Sequence, residues 1–225
     1  MSLLLAIDTS LEKASVCLAE DQEILSLQTN AKQKDHASWI HTAIQSLFAD
    51  TRIKMEALTA VAVSIGPGSY TGIRIGLSSA KGICYALHKP LITINTLEMM
   101  ARAVKDEATD LICPMIDARR MEVFYALFTK SIDWVEPPAA KILYPDSFEE
   151  YLDQHQILFT GSGIKKFREL SHNSKKYVFF EGHFDCSQLI VPATLKLKNL
   201  DFADLAYSEP LYIKEFHTTA QKPFK

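Results

Sequence analysis

Leu3-Leu4-Leu5-Ala6-Ile7-Asp8-Thr9-Ser10 is an apolar run that stops at an aspartate and two hydroxyls, and Ile112-Cys113-Pro114-Met115-Ile116-Asp117 echoes it far down the chain. A continuous apolar run of this length between turn signals reads as a buried strand. Each copy is followed by a short polar turn and a second strand, Ser15 to Ala19 in the first case and Val123 to Phe128, after Ala118 to Glu122, in the second. Two strands around a short polar turn make a hairpin. Asp8 and Asp117 correspond at an offset of 109, about half of the 225 residues. Self-similarity at half the chain length predicts a duplicated unit.

Working outward from the first hairpin, Gln22 to Leu27 reads as a third strand, and the period then changes. His36, Trp39, Ile40, Ala43, Ile44, Leu47 and Phe48 recur at spacings of three and four, a helical stripe over Asp35 to Ala49 with Asp35 as the expected N-cap. Leu58 to Ile65 reads as a buried strand, Ile73 to Leu87 as a helix, Pro90 to Ile94 as a strand, and Leu97 to about Val104 as a helix. The order β-β-β-α-β-α-β-α predicts an α/β fold with a mixed sheet. The second half is expected to begin near residue 106. Pro137-Pro138 and Pro145 mark a surface insertion, Phe148 to Asp153 reads as helix, and Gln156 to Thr160 as strand. Gly161-Ser162-Gly163 turns into a helix from Ile164 to Leu170, and Ala193 to Ala206 has helical spacing.

Composition excludes several classes. Hydrophobic residues are 48% and charged residues 23%, ordinary globular usage. A net charge of −3 supplies no general attraction to nucleic acid, so RNA binding needs a local patch; the tail, with Lys214, His217, Lys222 and Lys225, is one place for it. Cys17, Cys84, Cys113 and Cys186 form no C-x-x-C pair, which disfavours a zinc cluster or a disulfide framework. No stretch is long and apolar enough to span a membrane, and the expected compartment is the cytoplasm.

Val63-Ser64-Ile65-Gly66-Pro67-Gly68-Ser69-Tyr70-Thr71-Gly72-Ile73-Arg74-Ile75-Gly76 places four glycines within eleven residues. A P-loop would need G-x-x-x-x-G-K-[ST], and no lysine stands in that register. A dinucleotide fingerprint needs a third glycine where Thr71 stands. A hydrolase elbow needs G-x-S-x-G, whereas Ser69 follows Gly68 directly; Asp8 and His36 are not required to join it in a triad. The remaining reading is geometric. Gly66-Pro67-Gly68 makes a sharp turn, Ser69 or Thr71 caps the next helix, and the exposed amides can hold an anion. Gly72, Gly76 and Ala80 form a smooth strip beside Ile73, Leu77, Cys84 and Leu87. A helix apolar over so much of its circumference is buried on two sides, either within its own domain or against a partner. The partner reading assigns the interface to His36, Trp39, Ile40, Ala43, Ile44 and Leu47 on one helix and Gly72, Ile73, Gly76, Leu77, Ala80 and Cys84 on the other.

"LAIDTS", "DHASWI", "VAVSIGPGSYTGIRIGLSSAKGICYAL", "KPLITINTLE", "PMIDARRMEVFYALF" and "PLYIK", in that order, resemble the TsaB (YeaZ) family over nearly the whole chain; Thr129 to Leu205 follows it loosely. The resemblance implies an actin-like, Hsp70-like ATPase (ASKHA) fold of two RNase H-like halves, residues 1–105 and 106–225, each with a mixed five-stranded sheet and helices, the C-terminal tail packing back on the first half. It also implies a non-catalytic partner of TsaD, the enzyme that places threonylcarbamoyl on the adenosine beside the anticodon of tRNAs reading A-starting codons. TsaE is a further implied partner, a homodimer is expected when TsaD is absent, and tRNA is met through the complex. In TsaD-type chains two metal-holding histidines stand where Thr96 and Met100 stand here, and neither replaces imidazole. His36 and His41 share a helix but no third ligand joins them, so no metal site is expected. Asp8, Thr9 and Ser10 match the fold's first phosphate loop without its glycine, Asp117 leads the second without glycines, and Gly161 and Gly163 match the adenosine-side turn. The expectation is a degenerate cleft with weak ATP, ADP or magnesium binding or none. The alternative is an ATP-dependent transferase or a peptidase-like enzyme.

Overall fold

The strands lie in two sheets of the same order, β3-β2-β1-β4-β5 and β8-β7-β6-β9-β10, in a computed structural model that describes residues 1–32, 35–171 and 175–214. The first sheet is built from β1 (Leu3–Asp8), β2 (Ala14–Glu20), β3 (Glu23–Asn30), β4 (Ala60–Ser64) and β5 (Leu91–Ile94). The second uses β6 (Leu111–Asp117), β7 (Glu122–Thr129), β8 (Trp134–Ile142), β9 (Ile157–Thr160) and β10 (Tyr177–Phe180). In both, the opening hairpin is antiparallel and the following strands run parallel to its first member, so both sheets are mixed. The repeat around Asp8 and Asp117 is therefore a repeat of topology. Of the tail residues singled out for charge, only Lys214 lies among those described.

Alternation along the strands sorts the core into layers. In β1, Leu3, Leu5 and Ile7 face one cluster with Val61 and Val63, under the helices α1 (His36–Thr51) and α2 (Tyr70–Leu87). Leu4 and Ala6 face the opposite way, into a cluster that also holds Ile112, Ile116, Phe128 and Leu158 of the second sheet. That shared layer includes α3 (Thr96–Val104) and α5 (Ile190–Lys198). Beyond the second sheet, Phe148, Phe159 and Phe167 pack with Tyr177 in edge-on pairs, beneath α4 (Ile164–Leu170). The sheets thus share one apolar layer.

Several elements differ from the sequence expectation. Of the prolines expected to mark an insertion, Pro137 and Pro138 lie instead in strand β8, at the edge of its sheet, where a residue without an N–H is tolerated, and Pro145 lies in the turn that follows. Pro137 and Pro138 sit where the β7–β8 register slips, Tyr125 pairing with Ala139 and Leu127 with Glu136. The helix expected over Phe148 to Asp153 is a 3-10 turn, Glu149–Tyr151. The helix expected over Ala193 to Ala206 starts earlier and stops at Lys198, closed by Leu200 in the left-handed region (φ 55) with Asp201 N–H donating to the Lys196 carbonyl at 2.9 Å. α2 begins one turn before Ile73, and Asp35 precedes α1 without any side-chain cap bond.

Candidate functional site

The glycine stretch closes onto the tip of its own first strand. Ser69 caps α2, accepting from Gly72 N–H at 3.2 Å, while its own N–H donates to the Ser10 carbonyl at 2.7 Å. Thr9 Oγ1 donates to the Gly72 carbonyl at 2.7 Å. A Cβ at Gly68 would lie 2.2 Å from the Ser10 carbonyl oxygen, one at Gly72 2.0 Å from that of Thr9, and one at Gly76 2.3 Å from Thr9 Oγ1. The smooth strip expected to admit another helix or strand admits Thr9 of the same chain at Gly72 and Gly76, while Gly68 admits Ser10.

Asp8, Thr9 and Ser10 are consequently buried, at 0%, 0% and 1% exposure. Asp8 Oδ1 accepts from Ser10 N–H at 3.0 Å, from Ser10 Oγ at 2.6 Å and from Ser64 Oγ. Burial raises the Asp8 carboxyl above its ordinary value, against the pull of those bonds, and the charge of Asp185 adds to the rise. Among the described residues its Oδ2 finds no hydrogen-bond partner, and neither does the buried Nε2 of His36. Burial likewise lowers His36, opposed by the Asp8 charge. A carboxyl held above its unfolded value stabilises the fold in its protonated form, and that contribution is lost as pH rises through the folded value. Asp8→Asn keeps an acceptor at Oδ1 and cannot ionise. Its stability relative to the parent is therefore expected to grow as pH rises from about 3.8, the reference carboxyl value. Urea unfolding across pH checks this; a pH-independent difference overturns it.

The second tip is built differently. Asp117 is exposed; partial burial raises its carboxyl, but Lys166 Nζ at 2.6 Å and the Arg119 N–H at 2.6 Å outweigh that and hold it below the usual range. Gly161 and Gly163 do not open onto a ligand space: a Cβ at either would meet Met115, at 2.4 Å from its carbonyl oxygen and 2.8 Å from its Cβ respectively. The six residues assigned to a nucleotide cleft are thus packed against their own strands or, for Asp117, tied to Lys166.

The open space lies above them, a cleft of about 850 Å³ between the halves. Gly68, Tyr70 and Arg74 face Arg119, Arg120 and Phe124 across it. The C-terminal segment straps its mouth. Lys81 Nζ donates to the Ala206 and Ser208 carbonyls at 3.1 and 3.2 Å, and Leu211 N–H donates to the Ile65 carbonyl at 2.7 Å. Arg74 Nε donates to Tyr212 Oη at 2.7 Å and lies 4.0 Å from the Tyr70 ring centre, and Lys214 pairs with Glu122 of the second half. Sequence reasoning missed Tyr70, Arg74 and Tyr212 as cleft residues, because no motif links positions this far apart.

The twelve residues assigned to a partner interface need correction. All but the half-buried Trp39 are buried within the chain. Ile40, Ala43, Ile44, Leu47, Leu77, Ala80 and Cys84 belong to the core under the first sheet. Gly72 and Gly76 hold Thr9, while Ile73 is 1% and His36 2% exposed. His41 is exposed, so the two histidines diverge. The outer strip of α2 carries Thr71, Ile75, Ser78, Gly82, Tyr85 and Ala86 instead, and that of α1 carries Ser38, His41, Thr42, Gln45 and Ala49. Thr96 accepts from Gly66 N–H at 3.1 Å and Met100 is buried beside Gly161, so both positions do packing work. Among the described residues, no three of His, Cys, Asp or Glu come together as a metal ion would require.

Two mixed sheets of like order, sharing a core and open between the tips of β4 and β6, define the two-lobed α/β class of the actin- and Hsp70-like ATPases. A family model described as TsaD, tRNA N6-adenosine threonylcarbamoyltransferase, matches residues 23–210. The tRNA threonylcarbamoyladenosine biosynthesis protein TsaB of Bacillus subtilis is 30% identical over 161 residues, 70% of each chain. Its namesake in Haemophilus influenzae is 26% identical over 240 residues, covering 98% of this chain and 97% of its own. The solved structure of YeaZ from Pseudomonas aeruginosa superposes with a TM-score of 0.81 at 22% identity, over 94% of this chain and 100% of its own. The chain belongs to the TsaD family and, within it, to the TsaB (YeaZ) group.

Proposed function

We propose that the chain works in threonylcarbamoylation of tRNA as a non-catalytic subunit that binds a TsaD-type partner through the outer faces of α1 and α2, in the cytoplasm and alongside a TsaE-type ATPase. The relatives' names support the pathway. The observation that carries the docking reading is Gly82. A glycine inside a helix costs about 1 kcal/mol relative to alanine. Gly72 and Gly76 offset that cost by admitting Thr9, but a Cβ at Gly82 meets nothing within 4 Å beyond the adjoining backbone of α2 among the described residues.

The surroundings of Gly82 fit a foreign helix. From Ala37 to Ala49, α1 carries no Asp, Glu, Lys or Arg although one face is exposed. The two cations of α2, Arg74 and Lys81, are turned to the chain's own C-terminal strap. Depletion of charge marks the centre of protein interfaces. Tyr85, 76% exposed, is the kind of rigid aromatic that anchors them. Without the TsaD-type partner the same faces serve a second copy.

The sealed tip supports the non-catalytic part. A carboxylate that holds hydrated magnesium must be ionised and reachable. Asp8 is 0% exposed and raised. Light scattering of the purified chain mixed with its TsaD-type partner is expected to give a single heteromeric mass; two independent species throughout the micromolar range overturn the docking reading. Calorimetry with ATP and magnesium is expected to show weak binding or none, and tight binding abolished by Asp8→Ala favours an enzyme instead.

A further inference from the structure

The cleft carries chemistry that the docking faces do not use. At the β6–β7 turn, Arg119, Arg120 and Met121 stand in succession at φ 69°, 46° and 59°. Three consecutive left-handed residues with a Cβ are unfavourable, and such backbone clusters at binding sites. The turn is held by Ala118 N–H to the Glu122 carbonyl at 3.0 Å and by Leu143 N–H to the Met121 carbonyl at 2.8 Å. Neither contact calls for arginine. The flanking acids are already engaged, Asp117 by Lys166 and Glu122 by Lys214. Arg119 and Arg120 are exposed, and among the described residues neither has an ion pair closer than 4.0 Å.

Arg74 faces them across the same cleft, with Tyr212 beside it at 42% exposure. Among the described residues Glu122 is the only acid in the lining, and its side chain is 14% exposed and paired. On a chain of net charge −3, this is a local concentration of guanidinium. Guanidinium forks bind phosphate oxygens in pairs, and tyrosine rings stack on unpaired bases. Resting on the reading of the chain as a tRNA-modification subunit, we propose that the cleft holds a single-stranded segment of RNA, its phosphates on Arg119, Arg120 and Arg74 and a base against Tyr212. Three guanidiniums on two walls suit successive phosphates of a strand.

The test compares the full-length parent with Arg119→Gly/Arg120→Gly by fluorescence anisotropy, using a labelled oligouridylate and a tRNA anticodon stem-loop. Glycine relieves the left-handed turn, so the variant melts at or above the parent temperature while its RNA affinity falls about tenfold and its log–log salt slope by about 1.4. Unchanged affinity overturns the site, as does AMP displacing the RNA at equal concentration, or polyglutamate binding as tightly as RNA. The variant retains its heteromeric mass with the TsaD-type partner. A variant that binds RNA with parental affinity in an intact complex therefore sinks this site alone, whereas a parent that forms no complex sinks the docking reading.

Discussion

Alanine at Gly72 lowers the unfolding free energy by about 3 kcal/mol or more, measured by urea denaturation of the purified chain. By helix propensity alone the change would stabilise α2 by about 1 kcal/mol, so the sign is decided by packing. The new Cβ would stand 2.0 Å from the Thr9 carbonyl oxygen, which is backbone, and 3.1 Å from the Ser69 side chain. Overpacking of a rigid site costs about 1–3 kcal/mol and sometimes more. Retreat of Thr9 also strains the Thr9–Gly72 and Ser69–Ser10 hydrogen bonds and uncovers Asp8. Gly82→Ala is the control in the same helix: with nothing in reach of its Cβ it stabilises by up to about 1 kcal/mol. A Gly72→Ala protein within about 0.5 kcal/mol of the parent would show that Thr9 yields freely and that the glycines do not clamp the strand tip.

The two glycines differ in a way that spacing along the chain does not express. Hydrophobic and small-residue periodicity identifies which side of α2 is covered, but not whether the cover is the chain's own sheet or another molecule. Ile73 and Leu77 lie on that covered side, at 1% and 4% exposure, so a charge at either would unfold the domain before it tested any interface. The hairpins and the repeat at Asp8 and Asp117 were legible because a buried strand ending at a turn is a local pattern. β8 was not, because a Pro-Pro pair reads as a loop until the edge position and the register slip opposite β7 are known. The end of α5 was hidden in the same sense, since a leucine closes it where glycine is usual. The cleft joins Arg74, Arg119 and Tyr212, which meet only after both halves and the C-terminal strap have folded.

Arginine at Gly82 is expected to abolish the complex with the TsaD-type partner, weakening it a hundredfold or more, while the isolated chain folds as before. The monomer has room for the side chain, since among the described residues nothing beyond the adjoining backbone of α2 lies within 4 Å of the added Cβ. Arginine is also a good helix former, so the melting temperature holds or rises. In a docked helix pair the same position lies at closest approach. There the long cation must displace the partner helix or be buried without a counter-charge, and either removes about 3 kcal/mol of binding or more. Ser78→Arg, one turn back on the same exposed strip, reproduces the loss with a residue that was never glycine, which separates docking from helix propensity. Both variants are read twice, by thermal melting of the chain alone and by light scattering of the mixture. A folded Gly82→Arg chain that still assembles with parental affinity would mean that the outer strip of α2 faces solvent in the complex, and the unexplained glycine would then carry no information about a partner.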